Sequence, residues 1–173
     1  MSAPGLFEPR GGMGGHQSAA PQSDVWLTPP HILAALGPFD LDPCSPGLRP
    51  WPTAATHYTL EDDGLKKPWH GRVFCNPPYG GPSIIGPWMR RMVAHNHGIA
   101  LIFARTETAM FQECVFGNAN GILFLAGRLH FHHEDGRRAA HNAGAPSCLV
   151  AYGAPDLARL AKCELPGRLI TLH

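Results

Sequence analysis

The chain has 173 residues, 44% of them hydrophobic and 16% charged, with a formal net charge of +1. That length suits one domain with a buried core, and the near-neutral charge excludes a globally basic polyanion binder; a nucleic-acid role would need a local basic patch. No apolar run approaches the roughly 18 residues of a membrane span, and the first residues lack the apolar core of a signal peptide, so a cytoplasmic protein with no membrane partner is expected.

Residues 1–23 are rich in Gly, Ser, Ala, Pro and Gln and read as a flexible leader, with a single domain over 24–173. Order begins at Asp24-Val25-Trp26-Leu27. Thr28 suits an N-cap and Pro29 the first turn of a helix that runs through Ile32–Leu36 and stops at Gly37-Pro38. Phe39–Asp42 reads as a short strand ending at Pro43, and a proline-rich loop follows. A strand at Thr56–Thr59 and an acidic turn at Glu61–Gly64 come next. Gly71–Cys75 is a strand, and Ile84–His95 has helical spacing of Ile85, Trp88, Met89, Met92 and Val93. Ile99–Ala104 is a continuous apolar run, as for a strand covered on both faces. Thr106 or Thr108 caps a helix through Val115. Gly121–Leu125, Arg128–His132 and Ser147–Tyr152 read as strands, and Asp156–Ala161 as a last helix. The five cysteines are odd in number with no CxxC spacing, as for free thiols. His130, His132 and His133 cluster, but no zinc-finger partner spacing surrounds them, and no metal site is expected. The alternation is that of an α/β protein: an open, mostly parallel central sheet with an antiparallel strand near the C-terminus and helices on both faces. Ligands of such sheets bind beyond the carboxyl ends of the strands.

One strand ends on Asn76-Pro77-Pro78-Tyr79. The amide oxygen of Asn76 can accept hydrogen bonds. The prolines hold the backbone extended and remove two donors, leaving carbonyl acceptors with little freedom. Tyr79 adds an aromatic face. Converging acceptors beside a ring suit a planar group carrying an NH2, such as the exocyclic amine of a nucleobase. The plain alternative is a stiff turn with Asn76 bonded to its own backbone; placement at a strand end, before an aromatic residue and glycines, favours function.

Asn76-Pro77-Pro78-Tyr79 resembles the catalytic motif of amino-methyltransferases acting on adenine N6. With Trp26–Pro30, Phe39-Asp40-Leu41-Asp42-Pro43-Cys44, Asp62-Asp63-Gly64-Leu65, Trp69 and a Trp88-bearing helix, residues 24–153 resemble the phage-type, Dam-like DNA N6-adenine methyltransferases. The resemblance implies a Rossmann-like methyltransferase fold and direct methyl transfer from S-adenosylmethionine, with no covalent enzyme intermediate. It also implies that Asn76 and the Pro77 carbonyl bind the target amine, within a motif completed by Pro78, and that Tyr79 stacks on the base. Asp42, beside Pro43, would hold the cofactor's ammonium, Asp63 its adenine amine, and Thr28 and Pro29 would close over its methionine end. The glycine-rich turn usual after the first strand is missing; Asp42-Pro43-Cys44-Ser45-Pro46-Gly47 stands instead. Glu61 and Asp62 are the candidates for the ribose hydroxyls.

The implied partner is double-stranded DNA with its adenine flipped out. Arg90, Arg91, Arg105, Arg128, Arg137 and Arg138 are the candidate contacts, with Arg137-Arg138 in a polar loop able to reach a groove. The same acceptor site could serve RNA or a protein glutamine side chain, and the altered glycine turn fits a catalytically silent binding relative.

Overall fold

The computed structural model describes residues 25–173, so the leader expected over 1–23 lies outside the described residues. Among these residues seven strands form one sheet: β1 (Leu41–Asp42), β2 (Thr56–His57), β3 (Val73–Cys75), β4 (Gly98–Phe103), β5 (Gly121–Leu125), β6 (Ser147–Tyr152) and β7 (Gly167–Thr171). Their order across the sheet is β2-β1-β3-β4-β6-β5-β7. The pairs β2/β1, β1/β3 and β3/β4 are parallel, with Val73 opposite Gly98. β6 runs antiparallel to both β4 and β5. It follows that β5 points the same way as β1, β3 and β4, and their carboxyl ends share one sheet edge.

Two antiparallel strands therefore replace the single one expected: β6 is inserted between β4 and β5, and β7 pairs antiparallel on the outer edge. β7 has a faint signature because only Leu169 is half-buried and its neighbours are exposed. Arg128–His132 is not a strand. Gly127 turns the chain out of β5 at φ 77°, and only the single-residue bridges Leu27–His132 and His132–Arg138 form there.

Among the described residues three α-helices cover the sheet: α1 (Pro30–Leu36), α2 (Pro82–His95) and α3 (Ala154–Lys162). Alternation along the strands sends side chains to opposite faces. Val73, Cys75, Ala100 and Ile102 pack with Met89 and Met92 of α2 and with Phe111, Cys114 and Val115. Phe74, Ile99 and Leu101 pack with Ile32 and Leu36 of α1 and Leu160 of α3. The segment Phe111–Phe116 is a π-helical turn that follows Met110, and the Phe111 amide donates to Thr108 Oγ1 at 3.3 Å just ahead of it. Thr28 is not the cap of α1. That position is Pro29, and Pro30 opens the helix with the fixed φ a first turn needs. All five cysteines are free, and among the described residues no helix is long and apolar enough to cross a membrane.

At the amino ends of the strands, the buried Arg72 donates from Nε to Asp156 Oδ1 of α3 at 2.6 Å. It also donates from its guanidinium to Leu36 and Pro38 carbonyls that α1 leaves behind.

Candidate functional site

The carboxyl ends of β1 and β3 open into a cleft of about 760 Å3, within the range of ligand sites. It brings together Thr28, Asp42, Pro43, Asp63, Asn76, Pro77, Pro78 and Tyr79. Pro29 faces away and lines a second cleft. Trp26, Cys44, Arg49, Trp51, Thr53, Trp88 and Glu134 are among the other residues of its walls.

Asn76 ends β3 with its side chain pinned. Nδ2 donates to the Trp26 carbonyl at 3.3 Å and to Thr28 Oγ1 at 3.2 Å. A carbonyl only accepts, so the nitrogen must face Trp26 and the amide orientation is settled. Oδ1 is buried and has no partner among the described residues. A buried acceptor left unpaired costs about 1–3 kcal/mol, so this oxygen marks a place where a donor belongs. The Asn76 backbone carbonyl is 3.4 Å from the donating Cys44 thiol, and that thiol also lies 3.7 Å from Cys75 Sγ. The neighbouring sulfur and burial push the Cys44 thiol well above its usual range.

Tyr79 is held at both ends. Its hydroxyl donates to the Leu101 carbonyl at 3.3 Å, and its ring stacks on Phe103 with centroids 4.3 Å apart. Burial pushes its phenol upward, so it stays neutral. Phe103 went unnoticed in the sequence because it looks like the end of one more apolar run.

Asp42 is 3% exposed. Its Oδ1 accepts from the Cys44 amide at 3.1 Å and its Oδ2 from the Thr53 hydroxyl. Burial raises its pKa to about 6, and the hydrogen bonds from Thr53 and Cys44 only partly offset that. The turn after β1 is thus built by the aspartate's own side chain capturing the amide two residues on, the work a glycine-rich turn would otherwise do. Thr53, inside a proline-rich loop, carried no signal in the sequence.

The opposite wall comes from the 3-10 turn Leu60–Asp62 and the residues after it. Asp63 sits at its end with φ 53°, and its carboxylate pairs with Lys66 at 2.7 Å on the surface. Gly64 lies against Pro43 so closely that a Cβ would meet the Pro43 carbonyl oxygen at 1.9 Å, which ties this wall to the turn after β1. Asp62 does not line the cleft. It accepts from the Thr59 amide and hydroxyl and from Lys67, the last at 2.7 Å. The Lys67 ammonium foremost, then Thr59, holds its pKa down at about 2. Glu61 does not line the cleft either, so neither ribose candidate reaches it. Glu134, which the sequence did not single out, does. The Leu27–His132 bridge and the Trp26–His133 ring contact at 5.1 Å bring its loop over the site.

The six candidate arginines scatter. Arg90 and Arg91 are the ninth and tenth residues of α2, and Arg91 donates to the Lys67 carbonyl at 2.9 Å. Arg105 is exposed just beyond the carboxyl end of β4. Arg137 is paired with Asp135 at 2.6 Å. Arg128 and Arg138 line the second cleft together.

The family model for DNA N-6-adenine-methyltransferase (Dam) matches residues 15–155. No curated protein and no solved structure matches the chain. The matched span contains both walls of the cleft and the Asn76–Tyr79 strand end, and ends beside the start of α3. The chain belongs to the DNA N-6-adenine-methyltransferase (Dam) family.

Proposed function

We propose that this protein transfers a methyl group from S-adenosylmethionine to the N6 amine of adenine in double-stranded DNA, with the base flipped out, on a Rossmann-like methyltransferase sheet. Its setting in that reading is a bacterial cytoplasm, encoded by a phage or prophage. The observation that carries the proposal is Asn76 Oδ1: a buried acceptor with no partner among the described residues, on an amide whose other end is held by Trp26 and Thr28. An exocyclic amine supplies the missing donor. Asn76 Oδ1 and the Pro77 carbonyl accept its two N–H bonds, which draws the nitrogen toward tetrahedral geometry and frees its lone pair. Tyr79, backed by Phe103, stacks on the base, a contact worth roughly 1–3 kcal/mol against the cost of flipping.

The cleft suits the cofactor in size and in donor set. Asp42, when ionised, accepts from an ammonium at one end. Asp63, with the Leu60 side chain beside it, faces an adenine amine at the other. Thr28 closes the methionine end, with Pro29 fixing the chain behind it. When bound, S-adenosylmethionine supplies a methyl group on a positively charged sulfur, ready for direct displacement. The work of the chain is alignment of that methyl with the amine, a proximity effect. Arg90, Arg105, Arg128 and Arg138 contact DNA phosphates in this reading; Arg91 is bonded to the Lys67 carbonyl and Arg137 to Asp135. The family match favours adenine in DNA over RNA or a protein glutamine. The Asp42-built turn answers the missing glycines, which favours an active enzyme over a silent relative.

Nucleoside mass spectrometry of DNA from cells expressing the protein tests this. N6-methyladenine is expected with the wild type and not with Asn76→Ala. In purified protein Asn76→Ala should lower turnover about 100- to 1,000-fold, as for loss of one key polar contact to the reacting group, while calorimetry shows nearly unchanged cofactor affinity. Equal methylation by the two proteins would refute the proposal.

A further inference from the structure

The second cleft, of about 560 Å3, lies between the start of α1, the carboxyl end of β5 at Leu125-Ala126 and the 128–138 segment. Arg128, Arg138, His31, His130 and His132 line it, and no carboxylate among the described residues does. Arg128 is steadied by one bond from its guanidinium to the Ala143 carbonyl at 3.0 Å, which leaves its other donors for a ligand. Arg138 has no carboxylate partner among the described residues, whereas Arg137 beside it is neutralised by Asp135. His132 Nδ1 is buried without a partner among the described residues. Burial first, then the neighbouring Arg138, hold the His132 imidazole below its usual range. Two guanidiniums at the mouth of one cleft, with no carboxylate among the described lining residues to neutralise them, describe an anion site.

Its position says which anion. β5 points the same way as β3, so this cleft and the Asn76 cleft open on one sheet edge. The Leu27–His132 bridge runs between them: Thr28 faces Asn76 on one side, and Pro29 lines the cationic cleft on the other. From β3 to β5 is three strand spacings, roughly 14 Å at about 4.8 Å each. A duplex laid along the edge covers that distance in about four base pairs, at 3.4 Å per step. We infer that the Arg128–Arg138 cleft binds the phosphate backbone of duplex DNA about four base pairs from the flipped adenine. The inference rests on the DNA-methylation reading for its choice of ligand.

Fluorescence anisotropy of the full chain with a labelled duplex, from 50 to 200 mM salt, tests it without needing turnover. Each phosphate contact adds about 0.9 to the slope of log affinity against log salt, so Arg128→Ala/Arg138→Ala should flatten it by about 1.8 and lose about tenfold less affinity across that range. Arg137→Ala should keep the wild-type slope. Arg128→Lys/Arg138→Lys should restore it, because lysine contacts phosphate as a point charge; this variant also guards against a folding defect in the alanine pair. Cofactor affinity should be unchanged in all three. A neutral methylphosphonate about four base pairs from the adenine should flatten the wild-type slope and leave the alanine pair unaffected. A wild-type slope in the alanine pair, or flattening equal to that of Arg137→Ala, overturns the inference. If the wild type methylates DNA and the alanine pair keeps its slope, the phosphate site alone falls. If DNA binds with the expected slopes and no methylation occurs, the catalytic reading falls and the phosphate site stands.

Discussion

Asp42 sits in surroundings that oppose its own charge. At 3% exposure, with a hydroxyl and one amide as its hydrogen-bond donors, its pKa rises from 3.8 to about 6. Between those values the unfolded chain releases this proton and the folded chain keeps it. The stabilising contribution is therefore fully present below pH 3.8 and is lost as pH rises through about 6. Above pH 6 the folded protein carries a buried carboxylate at a cost on the order of 3 kcal/mol. Asp42→Asn removes the charge and keeps the shape, so it should stabilise the cofactor-free protein by about 1–3 kcal/mol at pH 8 and by almost nothing at pH 4, as read by urea denaturation at the two pH values. Cofactor affinity should move the other way. In the wild type it should fall about tenfold per pH unit below 6, as the carboxylate that receives the ammonium is protonated. In Asp42→Asn it should be weak at every pH. An Asp42→Asn protein less stable than wild type at pH 8 would show that the carboxylate is better solvated than its burial implies.

At the level of elements, the first helix shows how a residue suited to one task is used for another. Thr28 fits an N-cap, yet Pro29 occupies that position and Thr28 Oγ1 accepts from Asn76 Nδ2. Thr28→Val should leave helical content and α1 intact by circular dichroism. It should lower turnover about tenfold, the equivalent of one hydrogen bond, because the Asn76 amide loses one of its two anchors; Thr28→Ser should keep most of the activity. Loss of helicity with an unchanged rate would return Thr28 to the role of a cap. The pattern of the sequence reaches as far as local forces decide structure. β3, β4, β6 and α2 announce themselves by apolar runs and helical spacing because both sheet faces are covered there. Arg128–His132 alternates like a strand, but Gly127 turns it aside and tertiary pairing reduces it to single bridges. β7 is hard to read because its short Leu169-Ile170 pair follows Pro166-Gly167 and, on the outer edge, only Leu169 is half-buried, so no alternating pattern marks it. In the site, Asn76–Tyr79 was legible because prolines and amides at a strand end are locally odd. Thr53, Phe103 and Glu134 were not, since each reaches the cleft only through the packing of segments distant in sequence.

Across the whole molecule the two edges of the sheet are built differently. The carboxyl edge holds an unpaired acceptor at Asn76, an aspartate raised toward neutrality and two open clefts. At the amino edge most polar groups meet one another, with Arg72 Nη2 left without a hydrogen-bond partner among the described residues. Asp40 Oδ2 accepts from the Arg72 amide at 2.6 Å, His95 Nε2 sits 2.8 Å from the Gly71 carbonyl, and Arg72 joins α1, β3 and α3 through Asp156. Arg72 also lies 4.1 Å over the Phe39 ring. Stability should therefore be separable from chemistry by choosing the edge to disturb. Asp156→Ala strands a buried guanidinium and should cost about 3–5 kcal/mol in urea denaturation. Replacing both partners, as Arg72→Met/Asp156→Leu, should cost less than Asp156→Ala alone, because no unpaired charge remains. In both proteins cofactor affinity and the methylation rate per folded molecule should match wild type at 20 °C, well below the unfolding transition. A loss of rate that outlasts correction for the unfolded fraction would mean that the amino edge sets the geometry of the Asn76 cleft through β3, and the separation between the edges would fail.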